Sequence, residues 1–172
     1  NIASFLMGTT EFLTLMMMEP DKAELLLRKI KDFLKAWIAL QRETFPSIDG
    51  IFMLDDIIGF MGEDEFRTFG LPIFQELYDP SVSVRFLHND APCRVCAPML
   101  PEMNVNLFNM GFDVTLKELK ELTQNKVTLV GNLPPRDVLA KAYPDGVAKE
   151  TTAMLDAIPD KSRLIVSCGG GM

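Results

Sequence analysis

Apolar positions follow two periods in this chain, and the change from one to the other marks out its elements. Four short, nearly continuous apolar runs, Ile51-Phe52-Met53-Leu54, Val84-Arg85-Phe86-Leu87, Val127-Thr128-Leu129-Val130 and Leu164-Ile165-Val166, have the pattern of buried parallel strands. Each stops on polar or glycine residues: Asp55-Asp56, His88-Asn89-Asp90, Gly131-Asn132 and Ser167-Cys168-Gly169-Gly170-Gly171. The chemistry of such strands gathers where they end, so four endings of this kind predict one shared rim and an enzyme.

Helical spacing fills the intervals. Residues 1–18 are strongly apolar around Gly8 and predict a buried helix or helix pair. Asp21 and Glu24 have the spacing of a capping box for a long helix, with Leu26, Ile30, Phe33, Trp37 and Leu40 inward and Lys29, Lys31, Asp32 and Lys35 wet. A turn at Asp49-Gly50 leads to a strand over 51–56. A helix over 63–78 follows, bent at Pro72. A second strand spans 82–88, a short helix lies near 97–103, and a weaker strand covers 105–110. Thr115 and Glu118 cap a helix through Leu122, and 126–131 is the fourth strand. Pro134-Pro135 open a helix over 135–142. Asp145 caps another, with Val147, Met154, Leu155 and Ile158 inward, before a last strand at 163–168. Strands alternating with helices imply an α/β fold with a parallel sheet. No Gly-x-Gly-x-x-Gly follows the first strand, which disfavours a dinucleotide fold.

Composition narrows the function. The 172 residues, 48% apolar and 24% charged, suit one domain with a real core. A net charge of −7 without a basic stripe argues against a nucleic-acid partner. The apolar stretches are too short to cross a bilayer, no signal peptide opens the chain, and three cysteines suggest a reducing, cytoplasmic compartment. The first residue is Asn1 and the last follows a glycine run, so residues 1–172 read as a fragment of a longer single domain.

At the strand ends, Asp55 and Asp56 point to opposite sides, so at most one faces a site directly. Either carboxylate could position a substrate, hold a metal or move a proton, and either could instead cap the following turn. His88 is the sole histidine; beside Asn89 and Asp90 it is a candidate for a metal ligand or proton carrier, with a satisfied structural ring as the alternative. Cys93 and Cys96 form a Cys-x-x-Cys that, with His88, Asp90 or Cys168, could hold zinc, or they are two ordinary loop thiols. Asn132, Gly169 and Gly170 are places where backbone could approach a substrate closely, or simply tight turns.

These residues together resemble the uroporphyrinogen decarboxylase superfamily, which includes porphyrinogen decarboxylases and related cobalamin-dependent methyltransferases. The likeness is carried by Phe5-Leu6-Met7-Gly8, Asp49-Gly50-Ile51, Asp55-Asp56-Ile57-Ile58-Gly59 and Leu87-His88-Asn89-Asp90. It continues through Leu129-Val130-Gly131-Asn132-Leu133-Pro134-Pro135, Val138-Leu139, Val147 and Ser167 to Gly171. The resemblance implies a (β/α)8 TIM-type barrel of which this chain holds about the last five units. Five strands cannot close a barrel, so either a larger protein or a second copy in a homo-oligomer would cover the open faces.

The resemblance also implies a zinc site of His-x-Cys and a later Cys in the thiol methyltransferases. Here those positions fall on His88, Asp90 and Gly170, with Cys168 two residues away. In the decarboxylases a Ser falls at Asp56 and a His at Gly170, and no cofactor is used. The expected function is therefore methyl transfer involving a corrinoid or thiol acceptor, with a small molecule or corrinoid protein as partner. His88 and Asp90 would take a metal or orienting role and Asp56 would position substrate, with Asp55, Asn89, Asn132, Gly169 and Gly170 in contact with it. Decarboxylation of uroporphyrinogen III is the alternative, and a non-catalytic corrinoid- or tetrapyrrole-binding module is a third reading.

Overall fold

The structure is a computed structural model and describes residues 1–170; Gly171, from the closing glycine run, lies outside them. Five strands form its sheet: β1 (Gly50–Leu54), β2 (Val84–Asn89), β3 (Leu107–Met110), β4 (Thr128–Leu133) and β5 (Leu164–Cys168). Every adjacent pair is parallel, and the spatial order is the chain order. Parallel neighbours need a crossover between them, so the intervening segments cover one face of the sheet. The result is an open arc of a parallel α/β barrel.

Helices α1 (Ile2–Met7), α2 (Thr9–Met18) and α3 (Pro20–Thr44) precede β1. From β1, α4 (Glu63–Glu65) passes through a widened turn at Phe66–Gly70 into α5 (Leu71–Leu77) and on to β2. The break falls just ahead of Pro72, which lacks an N–H to donate and crowds the preceding turn. A single 3-10 turn, Ala97–Met99, stands where a helix through 103 is expected. After β3, α6 (Leu116–Leu122) starts as the sequence suggests, with Thr115 Oγ1 accepting from the Glu118 N–H at 3.2 Å. A wide turn at Pro135–Leu139 replaces the expected helix over 135–142, and α7 (Pro144–Asp156) leads to β5.

Register divides the strands into two faces. Met53, Leu87, Phe108, Leu129 and Leu164 align across the sheet, and with Ile51 they pack into the core beneath the helices. The alternate row, Leu54, His88, Asn109, Val130 and Ile165, lies on the other, concave face beside Phe52 and Phe86. The strands expected to be buried on both sides are thus dry on one only: Phe52, Leu54, Val84 and Ile165 are exposed. In a closed barrel that face is filled by side chains from the opposite strands, and a five-stranded arc has none opposite.

The same geometry corrects the helix faces. On α1 and α2 only Ala3, Phe12 and Met16 are buried, while Phe5, Leu6, Met17 and Met18 are exposed. On α3 the inward side is Ala23, Leu26, Leu27, Ile30 and Ile38; Phe33, Trp37 and Leu40 lie at its margin, exposed. The apolar surface of α3 is wider than the elements it meets, so its far edge stays wet. Of the lysines expected in solvent, Lys35 is exposed and Lys31 partly buried, and both reach Glu76 of α5, at 3.0 and 2.7 Å. Neither Asp21 nor Asp145 caps its helix: Glu19 and Tyr143 hold those positions, each followed by a proline that starts the helix. No helix among the described residues is long and apolar enough to cross a membrane.

Two measurements check this packing. Phe108 is wholly buried at the centre of the sheet, so Phe108→Ala should cost about 3–5 kcal/mol in urea unfolding. Hydrogen bonds from Ser81 and then from Arg42 of α3 hold the Asp79 carboxyl down to about 2. A carboxyl depressed in the folded state stabilises it above its unfolded value, about 4, and loses that contribution as pH falls through about 2. Asp79→Asn should therefore lower Tm at pH 7, and the gap from wild type should shrink toward zero near pH 2.

Candidate functional site

Parallel strands in chain order bring all five C-terminal ends to one edge, and there the polar endings meet. Asp55 and Asp56, as adjacent residues after β1, divide between the faces. Asp55 Oδ1 accepts from the Ile57 N–H at 3.0 Å, and its Oδ2 lies 2.9 Å from the Asn1 backbone nitrogen. It also borders a cleft of about 410 Å³ between α3, α5 and the open edge of β1, which Ala3, Phe12, Phe52 and Leu54 line as well. Asp55 thus serves a local turn. Asp56 Oδ1 accepts from the Asp90 N–H at 2.8 Å and so ties the ends of β1 and β2 together.

His88 is the most constrained group at the rim. Its Nδ1 lies 2.6 Å from Asn109 Oδ1 and its Nε2 lies 3.3 Å from Asp90 Oδ2. The imidazole is 12% exposed and Asp90 45%, so the ring sits at the base of the rim with the carboxylate at its lip. Register explains the contact with Asn109, since the two residues are directly opposite on β2 and β3. With Nδ1 turned to Asn109, Nε2 is the ring nitrogen on the Asp90 side, where a proton can be exchanged with a substrate.

Asn89, a neighbour in sequence, points the other way. It is fully buried, with Oδ1 accepting from the Ala91 N–H at 2.8 Å and Nδ2 3.7 Å from Cys96 Sγ, which leaves it no surface toward a substrate. Asn132 remains at the rim, half-buried, its Nδ2 3.4 Å from the Gly111 carbonyl. At the end of β5, a Cβ on Gly169 would meet the Phe112 ring at 2.6 Å, and one on Gly170 would meet Asp90 Oδ1 at 2.5 Å. Gly170 also has φ +80°, a backbone conformation that glycine adopts without strain. These glycines let β5 approach the loops after β2 and β3, which is a packing reason for their presence.

The thiols do not join this group. Cys93 is fully buried, Sγ 3.6 Å from Asp113 Oδ1, and burial pushes its thiol well up. Burial likewise raises Cys96 to about 12. Cys93 Sγ faces Asp113 and Cys96 Sγ faces Asn89, so neither thiol is grouped with His88 and Asp90. Cys168 Sγ turns to the Gly170 carbonyl at 3.3 Å. Among the described residues no three His, Cys, Asp or Glu side chains are grouped to hold a metal ion. His88 and Asp90 supply two donors where zinc takes three or four protein ligands, and position 170, which points at Asp90, has no side chain. The residues present do not by themselves fit zinc.

Asn109 is the functional candidate that sequence reasoning passed over. A lone amide inside Leu107-Phe108-Asn109-Met110 was the available signal, because a polar side chain buried in a strand needs partners. The rim is otherwise acidic: Asp55, Asp56 and Asp90 stand at strand ends, while Arg94 and Arg136 are paired with Glu118 and Asp137.

Comparison with known proteins agrees with this fold. The uroporphyrinogen decarboxylase of Chlorobium luteolum is 25% identical over 127 residues, 70% of this chain and 35% of that protein. The uroporphyrinogen decarboxylase of Chlorobium limicola is 24% identical over 147 residues, 82% of this chain and 40% of that protein. The chain therefore spans well under half the length of these relatives. A methyltransferase from Methanosarcina mazei has the same fold over 98% of this chain and 50% of its own, with a TM-score of 0.79 and 21% identity. The model of the family described as uroporphyrinogen decarboxylase (URO-D) matches residues 1–172, and the chain belongs to that family.

Proposed function

We propose that this rim is the acceptor end of a methyl-transfer site, taking a thiol or a corrinoid-linked substrate. The observation that carries the reading is His88 Nε2 held at the strand ends against Asp90 Oδ2, at 3.3 Å. A thiol acceptor must lose its proton before its sulfur can attack a methyl carbon, and an imidazole paired with a carboxylate can take it. The S–H proton passes to Nε2, the sulfur lone pair forms the new S–C bond, and the electron pair of the old methyl bond leaves with the donor. Asp90 then stabilises the imidazolium, and Asp56 keeps Asp90 in place through its N–H. Because His88 and Asp90 do not complete a zinc site, no step is assigned to a metal.

Decarboxylation of uroporphyrinogen is the second reading, favoured by the name of the Chlorobium relatives. The acidic rim counts against it, since that substrate carries many carboxylates and the nearby arginines are already paired. A non-catalytic module that binds a corrinoid or tetrapyrrole is the third.

The test uses the full protein with methylcobalamin and a small thiol, and separately with uroporphyrinogen. Methyl transfer that falls about 100-fold or more in a folded His88→Ala variant, and less in Asp90→Asn, is the expected result. Turnover of uroporphyrinogen alone overturns the proposal in favour of decarboxylation, and tetrapyrrole binding without either turnover favours the module. Elemental analysis is expected to find no zinc that depends on His88; stoichiometric zinc lost in His88→Ala would overturn proton transfer by His88 itself.

A further inference from the structure

Asn109 occupies one square of a row that runs Leu54, His88, Asn109, Val130, Ile165 across the concave face. It is nearly buried, and all of its polar atoms are used. Nδ2 donates to the Val130 carbonyl at 2.6 Å and to the Cys168 carbonyl at 3.0 Å, while Oδ1 faces His88 Nδ1 at 2.6 Å. Two carbonyl oxygens can only accept, so the side of the amide that meets them has to be the NH2 group. Turning the amide over would set its oxygen against both carbonyls. The orientation is therefore decided by the backbone of β4 and β5, independently of the histidine.

That orientation dictates the state of the ring. An amide oxygen only accepts, so the nitrogen facing it must carry hydrogen. We infer that Asn109 is a positioning residue that fixes His88 as the Nδ1–H tautomer and leaves Nε2 as the basic nitrogen of the rim. Nε2 is then the ring nitrogen that lies 3.3 Å from Asp90 Oδ2. The strand order matters here: Cys168 lies at the end of β5, two strands beyond Asn109, so the last strand of the arc helps to set the tautomer of a histidine on the second. The consequence for turnover rests on the proton-acceptor reading of His88 given above; the tautomer itself does not.

His88 is the one histidine of these 172 residues, and its ring signals are assigned by their loss in a His88→Gln variant. Two-bond proton–nitrogen correlation on histidine-labelled full protein, at a pH where the ring is neutral, is expected to show hydrogen on Nδ1 and none on Nε2. In Asn109→Leu the amide oxygen is gone, and the neutral ring is expected to move its hydrogen to Nε2, toward Asp90. Circular dichroism melts establish that the variant is folded. An Nε2–H ring in the wild type overturns the inference even if the variant fails to fold, as does an Nδ1–H ring that persists in folded Asn109→Leu. In the methyl-transfer assay the same variant should lose about 100-fold in kcat with KM little changed. Absence of methyl transfer with the wild-type Nδ1–H ring intact would count against the proposed function and leave the tautomer assignment standing.

Discussion

Parallel pairing is unforgiving about where things end. A strand that pairs in parallel with its predecessor has to be brought back across the sheet first, and every strand then finishes at the same edge. In this chain the pairing follows chain order without exception, so Asp56, His88, Asp90, Asn132 and Gly170 come from widely separated parts of the sequence to one rim. The contacts there are the direct result: Asp56 of the first strand end holds the Asp90 backbone of the second, and Asn109 of the third holds His88.

The two faces of the sheet then take different roles. Beneath the helices, Leu87, Phe108 and Leu129 form a fully buried row that supports the strands. The opposite row carries His88 and Asn109, flanked by the uncovered Phe52, Leu54 and Ile165. Polar groups in that row are tolerated because each has a partner: the Asn109 amide satisfies two carbonyls and the imidazole together. The same face that leaves apolar side chains open in this arc also provides the surroundings in which a hydrogen bond fixes a ring. The glycines at the end of β5 belong to the same economy of space, since a side chain on Gly170 would collide with Asp90.

Much of this was legible in the residues. The apolar runs at 51–54, 84–87, 127–130 and 164–166 become strands, and Thr115 caps its helix, because those features depend on a few neighbouring residues. Burial depth was not legible. Phe33, Trp37 and Leu40 have helical spacing suited to a core, yet they are exposed, since the width of the surface that covers α3 is a property of other elements. Cys93 and Cys96 had ligand spacing, but their buried sulfurs face Asp113 and Asn89 and are not grouped with His88 and Asp90.

What the sequence determined by itself was the succession of elements and the set of polar groups at their ends, because hydrophobic period, proline and capping residues act over a few positions. The tertiary structure alone decided which of those groups meet. Asn89 and His88 are adjacent in the chain, yet one is sealed against Cys96 and the other opens to the rim, because successive strand residues face opposite ways. Asn109, unremarkable in a short apolar segment, acquires its importance only when register sets it beside His88 and the end of β5 comes within 3.0 Å. Those relations depend on strand pairing between residues far apart in the chain, and no local pattern encodes them.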